Sequence, residues 1–305
     1  MSTRPDPITV EIIRNAFISI AEDMNAALFR SAYSPVIYEG RDCAVALLDE
    51  NGDVLAQAVG VPLFLGNLEV CVKLTAQLHG WDVFQPGDIF YMNDAYMQGT
   101  HLNDATVFAP IYWQGKRVGF SASRAHWLDV GGKDPSQTTD SQEIYQEGVR
   151  WPPTRIYQNG EPRQDIMDVL KCNSRFGYAL IGDLNAQVAA MRTGETRFQS
   201  ILNRFGYETV LAARDEIFRQ SEELERKAVA VIPGSTYTAS GFLDDDGRGS
   251  GEIPVKVRVD VVGDHMTVDL EGSSPMARGP INAGFAQTDI AVPGWDGRRL
   301  QLSFG

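Results

Sequence analysis

Only four histidines occur in the 305 residues, so each can be weighed as a ligand or a base. Two have plain readings. His79 closes a helical run beside Gly80, where a cation suits the helix dipole, and His265 sits in a turn next to Asp264. His101 and His126 stand in richer company, within Gly99-Thr-His-Leu-Asn-Asp104 and Ser123-Arg-Ala-His-Trp-Leu-Asp129. If the runs 105–112 and 118–123 pair as a hairpin turned at Gln114-Gly115, the flanking segments emerge at one end of a sheet. His101, Asp104 and His126 then converge, with Asp94 and Asp129 nearby. Two imidazoles with one or two carboxylates suit a divalent metal. An open position on such a metal acidifies bound water and polarises a carbonyl. The same residues also suit a plain turn, in which Asn and Asp bond their own backbone.

Other chemistries find less support. There is no GxxxxGK[ST] phosphate loop and no GxSxG elbow, and Ser123 lacks the surroundings of a nucleophile. Three cysteines, Cys43, Cys71 and Cys172, are scattered and form no CxxC pair, which indicates neither a disulfide framework nor a cysteine zinc site. Cys43 reads as a small buried hydrophobe. Asp244, Asp245 and Asp246 in a glycine-rich stretch read as a tight, solvated acidic turn. Trp127 and Trp151-Pro-Pro153 suit either a pocket wall or the core.

The elements that must position these residues follow from periodicity. Asp6-Pro7 starts a helix whose apolar residues, Ile8, Ile12, Ile13, Ala16, Phe17, Ile20, Met24, Ala27 and Leu28, recur at three- and four-residue spacing to about Ser31. Strand-like runs 42–48 and 53–58 flank Asn51-Gly52, a strong hairpin signal. A helix over 68–78, a strand over 89–92 and the 105–123 hairpin complete a sheet-rich first part. Helical period returns from Gln164 to about Val231, in two long runs about Gly206 that suit an antiparallel hairpin. Gly194 weakens the first run unless close packing needs it. Strands over 236–242, 254–262 and 266–270 follow, and 288–305 shows no clear period.

The expected fold class is therefore α+β, with mixed, largely antiparallel sheets, packed helices and a long helical hairpin in the middle. Its expected parts are a sheet-rich metal-site domain (1–160), a helical segment (161–232), a second strand-rich part that is incomplete (233–287) and an irregular tail (288–305). Lys and Arg total 27 against 40 Asp and Glu, a net charge of −13, which argues against broad binding to nucleic acid or anionic membrane. A hydrophobic share of 43% fits a globular core, and no apolar run reaches the ~18 residues of a membrane span. With no secretory signal evident, the expected location is cytoplasmic.

Assembled, these segments resemble the hydantoinase B/oxoprolinase family. The resemblance is carried by Glu39-Gly-Arg-Asp42, Asn93-Asp94 through Asp104, Ala122-Ser-Arg-Ala-His-Trp-Leu-Asp-Val-Gly-Gly132, Ile144-Tyr-Gln-Glu-Gly148 with Pro152-Pro153, Gly182-Asp-Leu-Asn-Ala-Gln187, Asp244-Asp-Asp-Gly247 and Gly279-Pro-Ile-Asn-Ala-Gly284. It implies a divalent metal (Zn, Mn or Fe) held by Asp42, His101, Asp104 and His126, which draws the remote Asp42 into the cluster. It further implies a B-type subunit of an ATP-dependent hydrolase of hydantoin, 5-oxoproline or a similar cyclic amide. Metal-activated water would attack a carbonyl activated by phosphorylation, with Asp42 or Asp129 as proton acceptor. ATP with Mg would reside on a hydantoinase A-type partner, in a hetero-oligomer. Two alternatives stay open: a subunit of an ATP-dependent ketone carboxylase of the acetone or acetophenone type, and a truncated, non-catalytic binding subunit. Members of the family are longer than this chain, and the similarity fades after Gln287.

Overall fold

Asp6 accepts the Thr9 amide at 3.0 Å and Pro7 opens the first turn, so α1 (Pro7–Ser31) begins where its capping residues dictate. A computed structural model describes residues 5–58, 60–61, 64, 66–284 and 286. The buried stripe of α1 is Val10, Ile13, Phe17, Ile20, Ala21, Met24 and Leu28. Ile8 and Ile12, expected on that stripe, are instead exposed, because the helical turn carries them past its edge. The short α2 (Pro35–Tyr38) leads to a hairpin of β1 (Cys43–Asp49) and β2 (Val54–Gln57). Next come α3 (Asn67–His79), β3 (Ile89–Met92), the single turn α4 (Ala95–Gln98), and the long hairpin β4 (Asp104–Trp113) and β5 (Lys116–His126).

A third hairpin, β6 (Thr154–Gln158) and β7 (Glu161–Pro162), extends the sheet and is one that periodicity does not predict. Its Asn159-Gly160 turn is a clear signal, but these strands are too short to show a period. The helices α5 (Gln164–Cys172), α6 (Gly177–Phe205) and α7 (Tyr207–Ala230) follow, with one residue, Gly206, between the last two. A smaller sheet is built from β8 (Ser235–Leu243), β9 (Ile253–Val262) and β10 (His265–Asp269). The expected irregular tail, 288–305, lies outside the described residues.

The large sheet has the order β2-β1-β5-β4-β3-β6-β7, and every neighbouring pair is antiparallel. Both faces are covered, which makes the chain α+β with helices on either side. On one face α1, α6 and α7 bury Phe17, Met24, Leu184 and Val210 against Val45, Leu47, Val107 and Ala125. On the other, α3 packs Leu68, Cys71 and Val72 against Ala46, Phe108 and Phe120. The helices of 161–232 thus share the core of the sheet. Gly194 has the packing reason that the sequence left open: a Cβ there would lie 2.5 Å from Met24 Sδ on α1. Trp127 is core, stacked on Tyr91 with ring centroids 5.2 Å apart. In the smaller sheet all nine residues of the edge strand β8 are exposed. Among the described residues, no helix is long and apolar enough to cross a membrane.

Candidate metal centre

The β4–β5 hairpin fixes the heart of the site. Its register sets Asp104 directly opposite His126, at the end of the ladder away from the Gln114-Gly115 turn. The two side chains lie on one face, and His126 Nδ1 is 2.8 Å from Asp104 Oδ1. His101 is brought in by a tight turn through Gly99 and Thr100, both at positive φ, which the His101 amide closes by donating to Asp104 Oδ2 at 2.8 Å. His101 Nδ1 then lies 3.2 Å from the same oxygen. The two imidazoles meet edge to face, with centroids 5.9 Å apart.

Asp42 arrives from a different part of the chain. It precedes β1, whose pairing with β5 sets Cys43 opposite Ala125, and its carbonyl accepts the His126 amide at 3.0 Å. Its carboxylate Oδ2 stands 4.0 Å from His126 Nδ1, at the rim of the cluster. Asn93, from the end of β3, ties the floor together by donating to the Leu102 and Val149 carbonyls and accepting the Trp151 amide. Gln187 of α6 bonds the Trp127 indole and the Ala105 carbonyl, which locks the helix layer to the same hairpin end.

The electrostatics follow from this packing. Burial works to raise the Asp104 carboxyl, but the hydrogen bonds and charges of His101 and His126 outweigh it and hold the group well below the usual carboxylate range. Its hydrogen bond to Asp104 raises His101 above an ordinary histidine, against the opposing effect of burial. Asp42, half-buried, is raised by desolvation, which His126 partly offsets. Exposure is graded across the site: the Asp104 side chain is 0% exposed, His126 5% and His101 45%. One side is therefore open.

Asp129 does not join this cluster. Its Oδ1 accepts Arg175 Nη1 at 2.9 Å and the Gly131 amide, and its Oδ2 accepts the Arg175 amide. Those bonds occupy the carboxylate that the sequence reading offered as a proton acceptor, so Asp129 clamps the 129–133 loop to the start of α6. Asp94 caps α4 through the Tyr96 amide and lies near Arg150. Asp246, read as part of a solvated turn, is instead fully buried and accepts the Arg248, Ser250, Arg278 and Gly279 amides and the Ser250 hydroxyl. His79 and His265 keep their plain roles, at a helix end and beside Asp264.

Two neighbours of His101 were not singled out from the sequence. Gln137 Nε2 lies 3.0 Å from His101 Nδ1. Glu147 is half-buried, and desolvation raises it while His101 works against the rise. Both belong to loops, where no periodicity marks a residue. The Gly131-Gly132 pair is the one local signal, because a Cβ at Gly132 would meet the Glu147 carbonyl at 2.5 Å.

As a ligand set, His101, Asp104 and His126 offer donor atoms that all lie within 4.8 Å of one another. That span approaches what one ion gathers with ligand bonds of about 2 Å, and two imidazoles with an ionised carboxylate match the donor types of catalytic zinc and related sites. The donors fit a divalent ion, with open solvent on the His101 side.

The model of the hydantoinase B/oxoprolinase family matches residues 6–295. A Pseudomonas sp. (strain NS671) protein, provisionally named as the B-type subunit of a D-/L-hydantoinase, is 33% identical over 94% of this chain and 50% of its own length. The beta subunit of the Pseudomonas jessenii caprolactamase is 31% identical over 87% of this chain and 46% of its own length. The crystal structure of the ATP-dependent caprolactamase from Pseudomonas jessenii superposes with a TM-score of 0.88 at 30% identity, covering 94% of this chain and 50% of that one. A nucleotide-free acetone carboxylase shares the fold, at a TM-score of 0.77 and 19% identity over 89% of this chain and 38% of that one. The chain spans about half the length of these two Pseudomonas relatives. On a family match that runs through both histidine segments and nearly the whole sequence, the chain belongs to the hydantoinase B/oxoprolinase family.

Proposed function

We propose that this chain forms the metal-holding part of the B-type subunit of an ATP-dependent cyclic-amide hydrolase, acting on a hydantoin, 5-oxoproline or a similar lactam. The observation that carries the reading is the convergence of His101, Asp104 and His126 at one end of the β4–β5 hairpin, in a chain of this family. Asp42, His101, Asp104 and His126 would hold a divalent ion (zinc, manganese or iron). When bound, that ion would acidify water and polarise a carbonyl. Asp104 contributes a carboxylate that stays ionised, and its bonds to the two imidazoles fix their orientation. Asp42, at the rim and with its proton affinity raised by burial, would be the carboxylate that takes a proton from attacking water. Asp129 is left as a structural clamp.

An amide carbonyl is a poor electrophile. Transfer of the ATP terminal phosphoryl group to its oxygen, on an A-type partner that holds ATP and Mg, would create a leaving group. Water added to the carbonyl carbon would give a tetrahedral centre that breaks its C–N bond, the ring nitrogen leaving with a proton. A second water would release phosphate from the resulting acyl phosphate, so that lactam, ATP and two waters give the ring-opened amino acid, ADP and phosphate. The reading predicts a hetero-oligomer.

The test is an assay of the chain purified with an A-type partner, ATP and Mg, against hydantoin, 5-oxoproline and caprolactam. Ring opening coupled to ADP release, lost in Asp104→Ala and in Asp42→Asn, is expected. ATP-dependent consumption of bicarbonate with a ketone, and no ring opening, would replace the hydrolase by the carboxylase reading. A folded, partner-bound chain without divalent metal would point to a non-catalytic subunit.

A further inference from the structure

Directly behind the cluster, two rungs along the ladder and so on the same face, Thr106 is paired with Arg124 as Asp104 is with His126. Arg124, Thr106 and Gln98 are all fully buried. Arg124 Nε donates to Thr106 Oγ1 at 2.7 Å, Thr106 Oγ1 donates to Gln98 Oε1 at 2.8 Å, and Gln98 Nε2 donates to the Asp104 carbonyl at 2.7 Å. The direction of this chain is forced by its first member. A guanidinium only donates, so Thr106 Oγ1 must accept from it and turn its single proton toward Gln98. That sets the Gln98 amide with its oxygen to Thr106 and its nitrogen to Asp104. The flipped amide would face oxygen to carbonyl oxygen.

Packing alone does not account for the arginine. Among the described residues it has no carboxylate partner: its other contacts are Cys71 Sγ at 3.5 Å and the Phe64 ring, 5.6 Å from Cζ, and its Nη1 is unsatisfied. Burying an unpaired cation is unfavourable, and an apolar side chain of similar length would fill the space more cheaply. What the charge supplies is the fixed sense of the hydrogen bonds. Asp104 is thereby held on its main-chain side, while its carboxylate is shared between the two histidines.

We propose that Arg124, Thr106 and Gln98 are positioning residues, a one-way hydrogen-bond chain that clamps Asp104 between His101 and His126. Metal affinity as a readout rests on the metal reading above; the second readout does not depend on it.

The experiment compares Thr106→Val, Gln98→Met and Arg124→Met with the unchanged chain in two measurements. One is cobalt(II) binding, followed by the visible absorption of the bound ion. The other is hydrogen–deuterium exchange of the His101 amide, which donates to Asp104 Oδ2. Each variant is expected to bind cobalt about 10–100-fold more weakly, with an altered spectrum, and to exchange the His101 amide at least about tenfold faster. Thr106→Ser, which keeps the hydroxyl, is expected to stay close to the unchanged chain in both. Val107→Ala, in the opposite core, is expected to lower the melting temperature and leave both readouts unmoved. Unchanged His101 exchange in folded Thr106→Val and Gln98→Met overturns the clamp, as does Val107→Ala matching their losses. If the unchanged chain binds no cobalt, the metal reading fails and the exchange comparison still decides the clamp.

Discussion

Asp104 and Asp129 are both buried carboxylates near one end of the same hairpin, yet their partners give them opposite uses. The oxygens of Asp104 face two imidazoles that can exchange a proton for a metal, whereas those of Asp129 are committed to Arg175 and backbone amides. Asp104→Ala and His126→Ala are therefore expected to lose divalent metal on dialysis, read by elemental analysis. Asp129→Asn should retain the metal but lose about 2 kcal/mol in urea unfolding, because a buried acceptor of charge-assisted bonds is weakened. The raised His101 adds a pH dependence. Metal must displace its proton, so affinity should keep rising with pH beyond the ordinary histidine value near 6.5 before levelling off. A competition titration between about pH 6 and 8 checks this; a plateau already reached at the ordinary value would contradict it.

At the scale of elements, the ladder and the helix layer each set one coordinate of the site. The β4–β5 register aligns Asp104 with His126, and α6 fixes the same hairpin end through Gln187. That helix can approach only because Gly194 leaves room for Met24 of α1. Gly194→Ala gains helix propensity but inserts a methyl group into a filled space, so a net loss of about 1–3 kcal/mol in urea unfolding is expected. Gly241→Ala, in β8 with no atom within 4 Å of the added Cβ, should stay within about 0.5 kcal/mol of the unchanged chain. The long elements were legible because apolar runs bounded by turn signals mark the strands and period 3.6 marks helices of up to 29 residues. The β6–β7 pair was not, since five and two residues carry too little pattern and the pairing of β6 with β3 is settled by the sheet.

Across the whole molecule, the smaller sheet reaches back toward the site. Arg248 donates to the Asp140 carbonyl, Asp140 pairs with Lys133, and Gln137 of the same loop meets His101. Asp246 organises this junction, and the Ser250 hydroxyl with the surrounding amides pulls its carboxyl down to about 2. A depressed carboxyl stabilises the fold above its unfolded value and loses that contribution as pH falls through the folded one. The gap in melting temperature between the unchanged chain and Asp246→Asn should accordingly be full above about pH 4 and close toward pH 2. A gap that stays constant across that range would deny Asp246 its organising role. A metal that binds only the folded chain should also raise the melting temperature in proportion to the logarithm of its concentration, by about 2.7 kcal/mol of stability at a hundredfold excess over Kd, and a chelator should reverse the rise.

Local features follow from neighbouring residues alone. Asp6-Pro7 starts α1, Asn51-Gly52 and Gln114-Gly115 turn two hairpins, and one of those hairpins necessarily carries Asp104 toward His126. Such signals depend on residues a few positions apart, whose backbone preferences hold in any surroundings. Asp42 was drawn to the site by likeness of motif, and only the β1–β5 pairing shows how it gets there. Packing between distant segments gives Asp129 to Arg175, buries Asp246, and lets Arg124 reach Asp104 through Thr106 and Gln98. A buried charge takes whichever partner packing delivers, and that choice is made between segments far apart in the chain.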